Sequence, residues 1–244
     1  MTRGLVDLHC HVLPGLDDGA ANLADSLALA RQAEADGIDT ICATPHIRAD
    51  HDVTIEHLPE RVAALNDALG EAGIGVTVVT GGELGAERVP HLSDAELRAV
   101  TLGGGGRWLL LEPRPGPMDD ALDHTVDALH DRGFSCLIAH PERHAGADAA
   151  ERLHGLVERG ALVQATAAHL AEGPAAPTML DWAAQGLIHI VASDAHSAHI
   201  GRPAAVSAGI GALGSIPRVA PHLEWVGSGA PRELLAGRPV TPPF

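Results

Sequence analysis

The 244-residue chain has 16 basic and 32 acidic residues, and its formal net charge of −16 excludes nucleic acid and anionic membrane surfaces as partners. All 16 basic residues are Arg, so chemistry built on a Schiff-base or P-loop Lys is excluded as well. The length suits one large α/β barrel or two small domains, hydrophobic residues make up 45%, enough for a sizeable core, and no apolar run approaches the roughly 18 residues of a membrane span. The N-terminus has no signal-peptide pattern, so a cytoplasmic protein without membrane insertion is expected.

In chain order, residues 5–8 read as a short buried strand. Asn22 then caps a helix with Leu23, Leu27, Ala30 and Ala33 on one face, which stops at Gly37. A second strand over 39–43 leads through the polar stretch 48–54 to a helix carrying Leu58, Val62, Leu65 and Leu69. Strand three spans 75–80, and Ser93 with Glu96 forms a capping-box pattern. Four glycines at 103–106 precede strand four (107–111) and read as a flexible connection, because phosphate loops follow a strand rather than lead into one. A helix over 119–132, strand five (135–139), a helix capped by Asp148 and Glu151, and strand six (161–165) come next. A helix over 178–185, strand seven (188–192), a small-residue helix after Arg202-Pro203 and a short one opened by Pro231 complete the chain.

Seven short apolar strands alternating with helices predict a parallel sheet covered on both faces, as one domain over residues 1–244. An open doubly wound sheet fits the alternation too, but polar residues after nearly every strand favour a closed barrel, where they converge on one mouth. His9 and His11, two apart on a strand, share a face. After later strands come His46, Glu83, Glu112, His140, Asp194 and His196, and Asp18 joins from the first loop. Five imidazoles and four carboxylates suit divalent metal ions, and nine donors exceed the roughly three that one catalytic ion needs, so two or three ions are expected. Cys10, Cys42 and Cys136 fall in or beside strands. Cys136 and Arg143 have six residues between them, where a thiol phosphatase places five, so neither a disulfide framework nor a cysteine nucleophile is expected.

Asp7-Leu8-His9-Cys10-His11 with the 14–19 turn Pro-Gly-Leu-Asp-Asp-Gly, then Thr44-Pro45-His46, Gly82-Glu83, Leu111-Glu112-Pro113, His140-Pro141-Glu142-Arg143 and Ser193-Asp194-Ala195-His196, resembles the PHP (polymerase and histidinol phosphatase) superfamily. The match is closest to the manganese-dependent protein-tyrosine phosphatases of the CpsB/CapC type. That resemblance implies a distorted (β/α)7 barrel of the PHP type, with the metal site at the C-terminal ends of the strands. It implies one ion on His9, His11, Glu83 and Asp194, a second on Glu83, Glu112 and His140, and a third on Asp18, His46 and His196. Manganese is the expected metal, with zinc or iron as alternatives. Arg143 and Arg202 are the implied phosphate-binding residues, although Arg202 follows His196 by six residues where the family pattern has five.

The resulting expectation is a metal-dependent phosphomonoesterase in which an activated water attacks phosphorus. Its substrate would be a phosphotyrosine protein, the tail of a bacterial tyrosine kinase in capsule or exopolysaccharide regulation. The alternatives are a small-molecule phosphatase, such as one acting on histidinol phosphate, and a non-catalytic PHP binding module.

Overall fold

The computed structural model describes residues 4–244, and every predicted strand is present as a parallel strand. They are β1 (Leu5–Cys10), β2 (Ile38–Ala43), β4 (Thr77–Thr80), β6 (Trp108–Glu112), β7 (Ser135–Ile138), β8 (Leu162–Thr166) and β9 (Ile190–Ala192). Two short strands are additional: β3 (His46–Ile47) continues β2, and β5 (Glu83–Gly85) continues β4. β1, β2 and β4 form one sheet in the order β1-β2-β4, and the other runs β3-β5-β6-β7-β8-β9.

The two interruptions have local causes. Pro45 lacks a backbone N–H and cannot continue the β2 ladder. At Gly81 and Gly82 the chain passes too close to its neighbours for a side chain: a Cβ on Gly81 would lie 2.6 Å from Cys42 Sγ, and one on Gly82 would lie 2.9 Å from Ile47 Cγ1. Beyond the breaks the strands pair again with His46 opposite Glu83, and Gly85 lies opposite Glu112. On the other side the circle closes through backbone bonds, with Asp194 N–H donating to His9 O at 2.8 Å and His11 N–H to Ala195 O at 2.9 Å. This is the distorted barrel that the sequence predicts.

Strand residues alternate between two apolar layers. Val6, Leu8, Trp108, Leu110, Leu137 and Ile190 pack in one cluster, while Leu109, Leu111, Ile138 and Val163 join the larger cluster that holds the helices' apolar faces. Each such Leu or Ile side chain stabilises the fold by about 1.5–3 kcal/mol relative to exposure. The helices are α1 (Leu23–Ala35), α2 (Leu58–Glu71), α3 (Asp94–Ala99), α4 (Asp120–Asp131), α5 (Ala149–Glu158), α6 (Ala167–Ala171), α7 (Ala176–Gln185), α8 (Ser207–Leu213) and α9 (Ala230–Leu235). Asn22 caps α1 by accepting the Asp25 N–H at 3.1 Å, and both halves of the Ser93–Glu96 capping box are formed. No helix among the described residues is long and apolar enough to cross a membrane.

Three details differ from the sequence reading. Asp148 does not cap α5; its carboxylate accepts from Arg152 Nε at 2.9 Å, an ion pair one helical turn on. The 103–106 run is a packed turn rather than a flexible connection: a Cβ on Gly103 would lie 2.6 Å from Leu235 O, and its φ of +66° is one that only Gly adopts freely. Helix α6 follows β8 without a break, so no turn signal announces it.

Candidate metal centre

The C-terminal strand ends gather all nine predicted donors in one cluster. His9 comes from the end of β1 and His11 from just beyond it, His46 and Glu83 from the continuation strands, and Glu112 from the end of β6. His140, Asp194 and His196 follow β7 and β9, and Asp18 reaches in from the first loop. All but Asp18 and His196 are buried. Among the described residues, His140 (φ +26°) and Asp194 (φ +51°) are the non-glycine positions with positive φ. Such backbone costs about 1–3 kcal/mol per residue and persists only where the surroundings impose it.

Their donor atoms form four overlapping groups: His11, Asp18, His46 and His196; His9, Glu83 and His140; His9, His11 and Asp194; and His46, Glu83 and Glu112. His9 Nε2 and His11 Nε2 lie 3.3 Å apart, each is 3.3 Å from Glu83 Oε2, and Asp194 Oδ1 is 3.5 Å and 3.8 Å from them. Ligands about 2.1 Å from a shared tetrahedral ion are separated by about 3.4 Å, so this spacing fits a common ion. Asp194 Oδ1 and His140 Nδ1 are buried without a hydrogen-bond partner, while Glu83 Oε2 faces His46 Nδ1 at 2.9 Å as well as His9 and His11. Orphaned buried donors and acceptors are rare in folded proteins, and a cation is the partner that carboxylate oxygens and imidazole nitrogens share.

Charge is arranged around Glu83. Burial opposes its ionisation, but the imidazoles of His9, His11, His140 and His46 prevail and hold it well below the usual carboxylate range. Asp194 is lowered to about 2: burial again opposes, and His9, His140 and Arg143 outweigh it. Burial and the neighbouring Glu83 charge raise Glu112 instead. Burial lowers His196 to about 4, with the His11 charge adding to the effect.

Several residues that the sequence reading left unassigned hold the donors in place. Asp17 Oδ2 accepts from His11 Nδ1 at 2.8 Å and from His46 N–H at 3.0 Å, while its Oδ1 accepts from Gly19 N–H at 3.0 Å. Despite burial, Asp17 and Glu83 raise the His11 imidazole to about 10. Gln164 Oε1 lies 3.1 Å from His9 Nδ1, which fixes the proton there and leaves Nε2 as the free lone pair. A lone amide in the apolar β8 run was the available signal. Asp7 Oδ1 accepts from Ser193 N–H at 2.9 Å and from His9 N–H at 3.2 Å, tying β1 to the turn that bears Asp194. Arg48 Nη1 meets both Glu112 oxygens, at 3.1 and 3.3 Å. Glu112 therefore faces Arg48 and His46, and the donor group containing His140 is completed by His9 rather than by Glu112.

Arg143 and Arg202 both stand at the edge of the cluster. Arg143 Nη2 contacts Asp194 Oδ2, Arg202 Nη2 lies 3.3 Å from the same oxygen, and Arg202 Nε donates to the Asp194 carbonyl at 2.8 Å. The extra residue before Arg202 does not keep it from this position.

A family model described as capsular polysaccharide synthesis, CpsB/CapC, matches residues 5–210. The chain belongs to the CpsB/CapC family. It is 32% identical over 204 residues to the tyrosine-protein phosphatase YwqE of Bacillus subtilis (strain 168), covering 79% of this chain and 78% of that protein. Identity to the tyrosine-protein phosphatase CpsB of Streptococcus pneumoniae is 23% over 203 residues, covering 79% and 83%. A chain from the crystal structures of YwqE and CpsB, described as unique metal-dependent tyrosine phosphatases, superposes with a TM-score of 0.82 at 28% identity, covering 98% of this chain and 97% of that one. The barrel is thus the one on which these CpsB/CapC relatives are built.

Proposed function

We propose that this chain hydrolyses phosphotyrosine on a protein, with His9, His11, Asp18, His46, Glu83, Glu112, His140, Asp194 and His196 holding two or three divalent ions and with Arg143 and Arg202 binding the phosphate. It is a metal-dependent tyrosine phosphatase of the CpsB/CapC type, associated with capsular polysaccharide synthesis. The finer reading is manganese as the metal, the tail of a bacterial tyrosine kinase as the substrate and the cytoplasm as the location, with residues 1–244 working as one domain. The observation that carries it is the meeting of two guanidiniums on Asp194 at the rim of a buried histidine–carboxylate cluster.

When bound, divalent ions supply Lewis acidity, acidifying a water and screening phosphate charge. The protein's own residues do the rest. Arg143 and Arg202 present N–H forks that match phosphate oxygens and are always charged. Asp194 holds both forks in place before substrate arrives, so little reorganisation remains when charge develops on the phosphoryl oxygens. Gln164 and Asp17 keep His9 and His11 in the tautomers that leave Nε2 free. Glu83 lies fully buried among four imidazoles at the floor of the site.

Metal-stripped protein with a native circular dichroism spectrum is expected to lose activity on p-nitrophenyl phosphate and regain it with Mn²⁺. Full activity without metal would overturn the metal reading. A kcat/KM much larger for histidinol phosphate than for a phosphotyrosine peptide would overturn the substrate.

A further inference from the structure

Beside Arg143 is a cavity of about 170 Å³, bounded by Glu142, Arg143, His169, Glu172 and the 173–175 turn. His169 lies on α6, three residues beyond β8, at the same barrel end as the donors. Its Nδ1 is 3.5 Å from Glu142 Oε1, and its side chain is 39% exposed. Glu142 is itself fixed, buried to 2% and accepting the Thr166 N–H at 3.1 Å. With Nδ1 turned toward Glu142, Nε2 lies on the opposite edge of the ring, and Pro174 with Ala175 gives the cavity an apolar wall. The cavity therefore joins a cationic phosphate-binding fork, an apolar wall and one proton-carrying group that the donor cluster does not use.

We infer that this cavity receives the leaving phenol of the substrate and that His169 protonates it. The inference rests on the tyrosine-phosphatase reading above and goes further by assigning the leaving-group side. As the phosphorus–oxygen bond to the aryl group breaks, its electron pair stays on the aryl oxygen, which takes the proton from His169 Nε2. Water forms the new bond to phosphorus, the proton it loses passes to solvent, and the imidazole is reprotonated from solvent. Products are neutral phenol and phosphate. The transfer runs downhill, because an aryl oxide is a much stronger base than an imidazole. Arg143, the other cationic side chain of the cavity, does not give up a proton.

The test uses the metal-loaded full chain and a series of aryl phosphates with leaving groups of falling basicity. For His169→Asn, kcat should drop by about a hundredfold on a phosphotyrosine peptide and by no more than about twofold on dinitrophenyl phosphate, whose leaving group needs no proton. Adding imidazole to His169→Ala should restore part of the lost rate. The wild type should show a shallow dependence on leaving-group basicity, a measurement that needs no variant. The nonhydrolysable phenylphosphonate should shift the ¹⁵N resonances of the His169 ring while binding with unchanged affinity to His169→Asn. Equal slowing across the series, or a steep wild-type dependence, would overturn the inference while leaving the phosphatase reading intact. No hydrolysis of any aryl phosphate by the wild type would instead overturn the phosphatase reading itself.

Discussion

Asp17→Asn asks whether the cluster is set from behind its donors. The Asp17 carboxylate is 1% exposed and holds His11 Nδ1 at 2.8 Å together with the backbone N–H groups of His46 and Gly19. Hydrogen bonds to a charged partner contribute about 1.5–3 kcal/mol each, and losing a carboxylate behind a ligating histidine weakens metal binding about 10–100-fold, or about 1.4–2.7 kcal/mol. The same carboxylate also raises the His11 imidazole to about 10, so it favours a proton there as well as an ion. Proton competition therefore bites harder on the wild type as pH falls. Mn²⁺ affinity, measured by competition with a fluorescent chelator, should be about 10–100-fold weaker in the variant near pH 9, with the gap narrowing toward pH 6. Equal affinities at both pH values, in a variant with a native spectrum, would refute this account of Asp17.

Three further predictions concern other residues. His189 is buried, lowered to about 4 chiefly by desolvation, and its Nδ1 accepts the Val163 N–H at 3.1 Å. Its contribution to stability is present above about pH 6.5 and is lost as pH falls toward 4, about 3 kcal/mol in all, so denaturant melts of His189→Asn should lose less stability over that window than the wild type. Burial pushes the Cys136 thiol up to about 12, so Cys136→Ala should keep its phosphatase rate while chelation abolishes it; a thiol mechanism gives the reverse. Arg143→Lys keeps the charge but loses the planar fork, and inhibition by inorganic phosphate should weaken by at least about tenfold.

Much of the molecule was readable in the chain because its signals are local. Each buried strand is a short apolar run, and each donor except Asp18 comes within a few residues of a strand end, so periodicity places both. The Asn22 cap and the Ser93–Glu96 box are encoded within four residues and form as read. What escaped is set by contacts between distant segments. Gln164 matters because β8 brings it to His9, 155 residues away in sequence. Arg48 looked like a loop residue until it met Glu112, 64 residues on. The 103–106 turn is held by residues 235–237, so composition alone gave mobility where there is packing. Asp17 belongs to the Pro-Gly-Leu-Asp-Asp-Gly turn at 14–19, but a pair of adjacent aspartates does not say which one faces the metal and which the imidazole.

The interrupted strands separate two things that most enzyme mouths mix. His46 and Glu83 are rungs of a ladder, paired with each other across β3 and β5 and joined onward to β6, so neither depends on a loop for its position. The irregular stretches 49–54 and 86–88 begin only after that ladder and Arg48, which holds Glu112. Insertions or substitutions there can reshape what reaches the mouth while the floor beneath stays in register. Substrate choice and metal affinity in this barrel are thus free to vary on separate segments of the chain.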